Sequence, residues 1–219
     1  MREGAPYHSF MDDPSVPPLL RALTDVLARR AENYTAPKPR SRRRAAAVLV
    51  LFYEKPGGLH IVCFRRNDTV STHKGQVAFP GGSADPGDAS MLATALREAN
   101  EELGIDPSQV VVLGEMRTFD TFVSNFAVTP FCGYYRVPDP TFVPTDHEVA
   151  EVLEVPVARL RQHRNRHVGK VPGFNIPIPL PYYKIDDTII WGASGGIVEE
   201  LLAALSEAEA EVTAAGEAS

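Results

Sequence analysis

Residues 79–104 read FPGGSADPGDASMLATALREANEELG, and the fold turns on how this stretch divides. Phe79 ends a short apolar run, and Pro80-Gly81-Gly82 breaks it with a tight turn. Ala89 to Leu103 then carries helical spacing and meets Gly104, the residue type that most readily closes a helix in the left-handed conformation. At about 100° per residue, Glu98, Glu101 and Glu102 fall in one arc of that helix. Leu92, Ala95, Leu96, Ala99 and Leu103 occupy another arc, suited to packing on a sheet. Three carboxylates so close repel one another unless solvent or cations intervene. Hard oxygen donors on a rigid element suit Mg²⁺ or Mn²⁺. Alone, the spacing favours a solvated acidic face, and Arg97 can pair with Glu101 at i,i+4 in either case. The glycines before the helix add the missing half, because they let backbone amides approach a phosphate or a metal-bound carboxylate closely.

Working outward, Ala45 to Tyr53 is a continuous apolar run closed by Pro56-Gly57-Gly58, a buried strand and hairpin turn, with Leu59 to Phe64 as partner strand. A polar loop from Arg65 to Lys74 leads to the short strand Gln76 to Phe79. Downstream, Val110 to Met116, Ala127 to Tyr135 and Val149 to Val155 read as strands, and Val157 to Gln162 as a short helix. Ile176 to Tyr183 and Thr188 to Trp191 read as a hairpin about Asp186-Asp187. Helices are expected near both ends. Pro17 to Ala31 places Leu19, Leu20, Leu23, Val26 and Leu27 at helical spacing, and Gly195 to about Ala208 is amphipathic. Residues 1–34 thus form an arm and helix, 35–209 a single domain, and 210–219 an Ala/Glu-rich tail expected to fray. Strands surround helices without regular βαβ alternation, so the class is α+β, a mixed sheet with helices on both faces.

Composition narrows the function. A hydrophobic share of 44% and a charged share of 23% are those of a soluble globular chain. No apolar run approaches the roughly 18 residues of a membrane span. The first twenty residues lack the basic start and apolar core of a secretion signal, so a cytoplasmic location is expected. A net charge of −6 gives no support to nucleic acid as a partner. Cys63 and Cys132, each in an apolar segment, read as buried free thiols. The basic cluster Arg40, Arg42, Arg43 and Arg44 reads as a solvated strand entry.

The residues from Gly82 to Ile105 resemble the Nudix box, G-x5-E-x7-R-E-U-x-E-E-x-G-U with U aliphatic. Gly82 matches the first glycine; Arg97-Glu98, Glu101-Glu102, Gly104 and Ile105 match the ending, with Ala99 at the first aliphatic position. Asp88 stands where the first glutamate is expected, and one extra residue separates it from Arg97. Upstream, Gly75-Gln76-Val77-Ala78-Phe79-Pro80-Gly81-Gly82 is similar to the end of a signature found in the coenzyme A diphosphatase branch, L-L-T-x-R-S-x3-R-x3-G-x-V-x-F-P-G-G. Arg65-Arg66 lie in its arginine region and His73 fits just before its glycine; Cys63-Phe64 and Ser71 depart from it. The likeness continues through Val128-Thr129-Pro130-Phe131, residues 148–152 and Ile190-Trp191-Gly192-Ala193.

The resemblance implies a Nudix-type α/β/α sandwich that cleaves coenzyme A to 3′,5′-ADP and 4′-phosphopantetheine. Glu98, Glu101 and Glu102 would hold Mg²⁺ or Mn²⁺, with Arg97 orienting them and Gly81 and Gly82 shaping the turn that faces the phosphates. Arg65, Arg66, His73 and Lys74 are the candidates for substrate phosphates. The general base stays open among the glutamate array, Glu148 and Glu151. Trp191 and Tyr183 read as packing residues. Two alternatives stand. One is a Nudix hydrolase for ADP-ribose, NADH or a dinucleoside polyphosphate; against it, the chain lacks a cysteine zinc ribbon and has no proline between Pro107 and Pro130. The other is a non-catalytic ligand-binding module, against which the intact glutamate set argues. Homodimerisation through the N-terminal helix is left open.

Overall fold

The apolar run beginning at Ala45 forms β1 (Arg44–Lys55), in the middle of an eight-stranded sheet. The computed structural model describes residues 13–34, 43–67, 75–121, 125–145, 147–174 and 179–217. β1 pairs antiparallel with β2 (Gly58–Arg66) across the glycine turn. β3 (Val77–Ala78) pairs with β2 further along the same edge as β1, and β8 (Val149–Pro156) pairs along the opposite edge. A short strand, β4 (Gly81–Ser83), lies antiparallel to the start of β1. β7 (Phe126–Tyr135) runs parallel to β1 and pairs with β5 (Val110–Glu115) and β6 (Phe119–Asp120). Among the described residues β1 and β7 form the one parallel ladder among antiparallel ones, which makes the sheet mixed, as the α+β reading requires.

β1 is apolar without alternation because helices cover both faces. Ala47, Leu49, Leu51 and Tyr53 pack with Ala95, Ala99 and Leu103 of α2 (Met91–Leu103). Val50 and Phe52 face the opposite layer, α1 (Pro18–Asn33) and α4 (Gly192–Glu217), where Leu20, Leu23, Leu201 and Leu205 are buried. Leu49 and Val50, both fully buried on opposite faces, each contribute about 2 kcal/mol from burial. After β8 a single turn, α3 (Val157–Leu160), leads to a three-stranded antiparallel sheet of β9 (Arg166–Gly169), β10 (Leu180–Ile185) and β11 (Thr188–Trp191). Cys63 and Cys132 are buried free thiols. Among the described residues no helix is long and apolar enough to cross a membrane.

Several boundaries differ from the sequence reading. Gly81–Ser83, read as part of a turn, is paired strand. β9 has no apolar alternation to announce it and exists through its register with β10. The hairpin strand expected from Ile176 begins at Leu180, and residues 176–178 lie outside the described residues. The tail expected to fray from residue 210 continues α4 to Glu217. Alanine and glutamate favour helix in that stretch. Arg30, Arg161 and Arg29 also pair with Glu207, Glu209 and Glu211 and hold the helix down.

Candidate active site

The glutamate helix is fixed at both ends. Ser90 caps it, its hydroxyl accepting from the Ala93 N–H at 3.1 Å, and Gly104 closes it at φ 68°. Between these caps α2 lies against β1 and β4, and each of the two glycines of β4 receives one glutamate. The Gly81 N–H donates to Glu102 Oε2 at 2.8 Å. Gly81 itself has φ +151°, and a Cβ there would stand 2.2 Å from the Ala47 carbonyl oxygen, so no other residue fits so close to β1. A Cβ on Gly82 would lie 2.5 Å from Glu98 Cδ. The notch left by the missing side chain holds the Glu98 carboxylate.

The three glutamates do not share one environment, although helical geometry places them in one arc. Glu102 is only 4% exposed. Burial pushes its carboxyl up to about 8, against the pull of the Gly81 N–H and the Arg66 charge and with the push of Glu98 and Glu148. Its Oε1 is buried with no hydrogen-bond partner among the described residues. Glu98 is also raised by burial, with Arg97 opposing. Glu101 is drawn outward to Arg97 Nη1 at 3.0 Å and is largely exposed.

Arg97 is the hub. Besides Glu101 it reaches Glu98 at 3.0 Å, the Ser83 carbonyl at 3.3 Å, and Asp88 through Nε at 3.0 Å and Nη2 at 3.1 Å. Asp88 also accepts from the Asp85 N–H and the Thr94 hydroxyl, and these bonds with Arg97 hold its carboxyl well below the usual carboxylate range. Asp88 therefore anchors the arginine that spans the glutamates. Among the described residues no three His, Cys, Asp or Glu side chains converge into a closed ligand set. Glu98 in its notch and the unpartnered Oε1 of Glu102 are nonetheless hard oxygen donors of the kind a divalent cation takes.

Of these groups, Glu98 opens onto a cleft of about 440 Å³. Gly81, Gly82, Glu98, Arg66 and Glu148 line it on the α2 side. Arg66 bonds Glu148 at 3.4 Å, and among the described residues its buried Nε has no hydrogen-bond partner. Arg65, the neighbouring candidate, is not among the lining residues and pairs with Glu151 at 3.0 Å. His73 and Lys74, with Ser71, lie outside the described residues. Tyr183 is buried in the core and Trp191 packs on Phe174 at 4.9 Å, as packing residues should. Sequence reasoning missed Arg44 and Phe126, which line the cleft beyond the glycines. The basic cluster was visible, but only the parallel register of β1 and β7 sets Arg44 beside Phe126.

A NUDIX domain family model matches residues 42–172, more than half of the chain. An uncharacterized Nudix hydrolase NudL of Yersinia enterocolitica is 38% identical over 87% of this chain and 97% of its own length. That of Pectobacterium atrosepticum is 33% identical over 88% of this chain and 99% of its own. Among solved structures, a Nudix hydrolase from M. smegmatis overlaps 53% of this chain and 73% of its own at 24% identity and a TM-score of 0.43, too little to weigh beside the sequence relatives. With the arginine-bridged glutamate helix seated on a paired glycine strand, these relatives give one assignment: the chain belongs to the Nudix family, as a hydrolase acting on the diphosphate bond of nucleoside diphosphate derivatives.

Proposed function

We propose that this Nudix hydrolase cleaves coenzyme A or its derivatives to 3′,5′-ADP and 4′-phosphopantetheine, with Mg²⁺ or Mn²⁺. The observation that carries the reading is the fit of Gly75–Gly82 to the coenzyme A diphosphatase signature, together with the place its last two glycines take against Glu98 and Glu102. Glu98, Glu101 and Glu102 would hold the cation, Glu101 on leaving Arg97. When bound, the ion supplies charge neutralisation at the diphosphate and a more acidic water.

The remaining work falls to side chains already in the cleft. Arg66 offers its guanidinium to a phosphate oxygen, in competition with Glu148. Gly81 and Gly82 line the cleft wall, and the diphosphate is placed against the backbone of β4 there. Of the two later acids, Glu148 lines the cleft and Glu151 does not. Glu148 is therefore the base we assign. Water adds to one phosphorus, its proton passes to a Glu148 carboxylate oxygen, and the bridging P–O bond breaks with its electron pair leaving on the departing phosphate.

The test offers coenzyme A, ADP-ribose, NADH and a dinucleoside polyphosphate, each with Mg²⁺, Mn²⁺ or chelator, and separates the products by chromatography. Metal-dependent 3′,5′-ADP from coenzyme A, well above the other three, is the expected result. Faster cleavage of another substrate would overturn the coenzyme A assignment and leave the diphosphate chemistry in place.

A further inference from the structure

We propose that Arg44 and Phe126 form the nucleobase subsite of the cleft, a stacking platform for a planar heterocycle. The two residues are register partners at the start of the parallel strands β1 and β7. The Arg44 guanidinium carbon lies 4.2 Å from the centre of the Phe126 ring, a stacked cation–π pair. Both line the same cleft as Gly81, Gly82 and Glu98.

Three features set this pair apart from ordinary surface packing. First, Arg44 is exposed and forms no ion pair among the described residues, whereas Arg43 beside it is paired with Asp120 at 3.3 Å and donates to the Thr121 carbonyl. One face of the Arg44 guanidinium is therefore covered by Phe126 and its charge is not neutralised by a carboxylate. Planar guanidinium groups and aromatic rings are the surfaces on which unpaired bases stack. Second, the platform is held from behind. The Phe126 N–H donates to Thr121 Oγ1 at 2.8 Å, and the Thr121 N–H returns a bond to the Phe126 carbonyl at 2.8 Å. These bonds hold the main chain that carries the ring, so little backbone freedom is lost on binding.

Third, the spacing suits a nucleotide. Val48, the register partner of Gly81, stands four residues along β1 from Arg44, which is roughly 13 Å of extended strand. A diphosphate at the glycines would leave about the length of a ribose and base to reach the platform. Pairs that need a base in this orientation serve any nucleoside diphosphate derivative. The inference thus deepens the proposed placement of the diphosphate at Gly81 and Gly82 without requiring coenzyme A as the substrate.

The test is calorimetric titration of wild type, Arg44→Ala and Phe126→Leu with AMP and with ribose 5-phosphate, all in chelator, so that turnover plays no part. Thermal unfolding checks that each variant is folded; the Arg44 side chain is exposed, so Arg44→Ala keeps the test open even where Phe126→Leu does not fold. Wild type should bind AMP more tightly than ribose 5-phosphate. The Kd for AMP should rise about ten-fold in Arg44→Ala and several-fold in Phe126→Leu, as base stacking on a side chain implies, with ribose 5-phosphate unmoved. Equal losses of both probes in Arg44→Ala, with Phe126→Leu at wild-type affinity, would reduce Arg44 to a phosphate cation and overturn the platform. So would a wild type that does not discriminate the probes. If AMP behaves as expected while coenzyme A is not hydrolysed, the substrate assignment falls and the platform stands.

Discussion

The Cβ atom that Gly82 lacks would lie 2.5 Å from the carboxyl carbon of Glu98, so a helix glutamate occupies the space of a strand side chain. One residue earlier the obstacle is backbone instead, the Ala47 carbonyl at 2.2 Å. The adjacent glycines therefore serve different ends: Gly81 lets β4 form, and Gly82 lets Glu98 enter.

Gly82→Ala should leave the fold intact, because the end of the Glu98 side chain can swing aside. Turnover should fall about a hundred-fold, the effect of displacing a reacting group by an ångström or so. Gly81→Ala should instead destabilise the protein by about 1–3 kcal/mol, since both φ +151° and the β1 backbone oppose it. Thermal unfolding and steady-state rates on the two variants separate these outcomes. Normal turnover in Gly82→Ala would show that Glu98 need not sit in the notch.

Glu102→Gln retains an oxygen for the Gly81 N–H and removes a buried ionisable group, so its melting temperature should match or exceed that of wild type. Glu101→Gln touches only an exposed pair with Arg97 and should also fold. In both, turnover should drop by about a hundred-fold or more and Mn²⁺ affinity, read by equilibrium dialysis, should weaken. Near-normal rates in both variants would sink the metal-holding role of the helix.

Asp88 gives a signature in pH. Its carboxyl is held below its ordinary value of 3.8 by the Arg97 hydrogen bonds first, then by the Asp85 N–H and the Thr94 hydroxyl. A lowered carboxylate stabilises the folded state above its unfolded pKa, and that contribution is lost as pH falls through the folded value. Wild type should therefore be more stable than Asp88→Asn at pH 7, and the difference should shrink below about pH 4, the unfolded aspartate range. Unfolding curves from pH 2.5 to 7 check this. A gap that stays constant across that range would mean that Asp88 acts through packing rather than charge.

The sequence made some of this arrangement legible and hid the rest for identifiable reasons. β1 was readable because burial on two faces leaves a continuous apolar run, and α2 because its apolar arc ends at a glycine in the left-handed conformation. The burial of Glu102 was not readable. It follows Ala99 by three residues and precedes Leu103, so its stem lies at the edge of the packing arc, and only the position of β4 decides that it is covered. Arg65 and Arg66 could not be told apart, because an irregularity in the β2–β8 register falls between them. The partnership of Arg44 with Phe126 depends on a parallel ladder between distant segments, which no local pattern announces.

The C-terminal helix yields a prediction about length. Val212 to Glu217 are exposed, whereas Ala204, Leu205 and Ala208 are buried against the sheet layer. Ending the chain after Glu211 should change stability by less than about 1 kcal/mol, the usual range for surface changes and exposed pairs. Ending it after Ala203 removes the buried trio together with Glu207 and Glu209, the partners of Arg30 and Arg161, and should destabilise the fold severely. Urea midpoints of the two truncations give the comparison. Equal midpoints would mean that the last turns of α4 hold nothing.

Arg66 and Arg65, neighbours on β2, offer the sharpest contrast in substrate binding. Arg66 lines the cleft, its Nε has no hydrogen-bond partner among the described residues, and its charge is felt at Glu102. Arg65 is engaged with Glu151 and absent from the cleft wall. Arg66→Ala should raise the KM for a diphosphate substrate about ten-fold or more, the effect of losing one charge-assisted hydrogen bond. It also frees Glu148 from its 3.4 Å contact, so kcat should shift less than KM if that acid remains free to take the proton. Arg65→Ala should stay within about two-fold of wild type in both constants, since an exposed ion pair contributes little. A double substitution, Arg65→Ala with Arg66→Ala, should match the Arg66 variant alone. If Arg65→Ala proved the more damaging of the two, the substrate would have to lie along the β2–β8 edge, and the cleft between β4 and α4 would lose its claim to the phosphates.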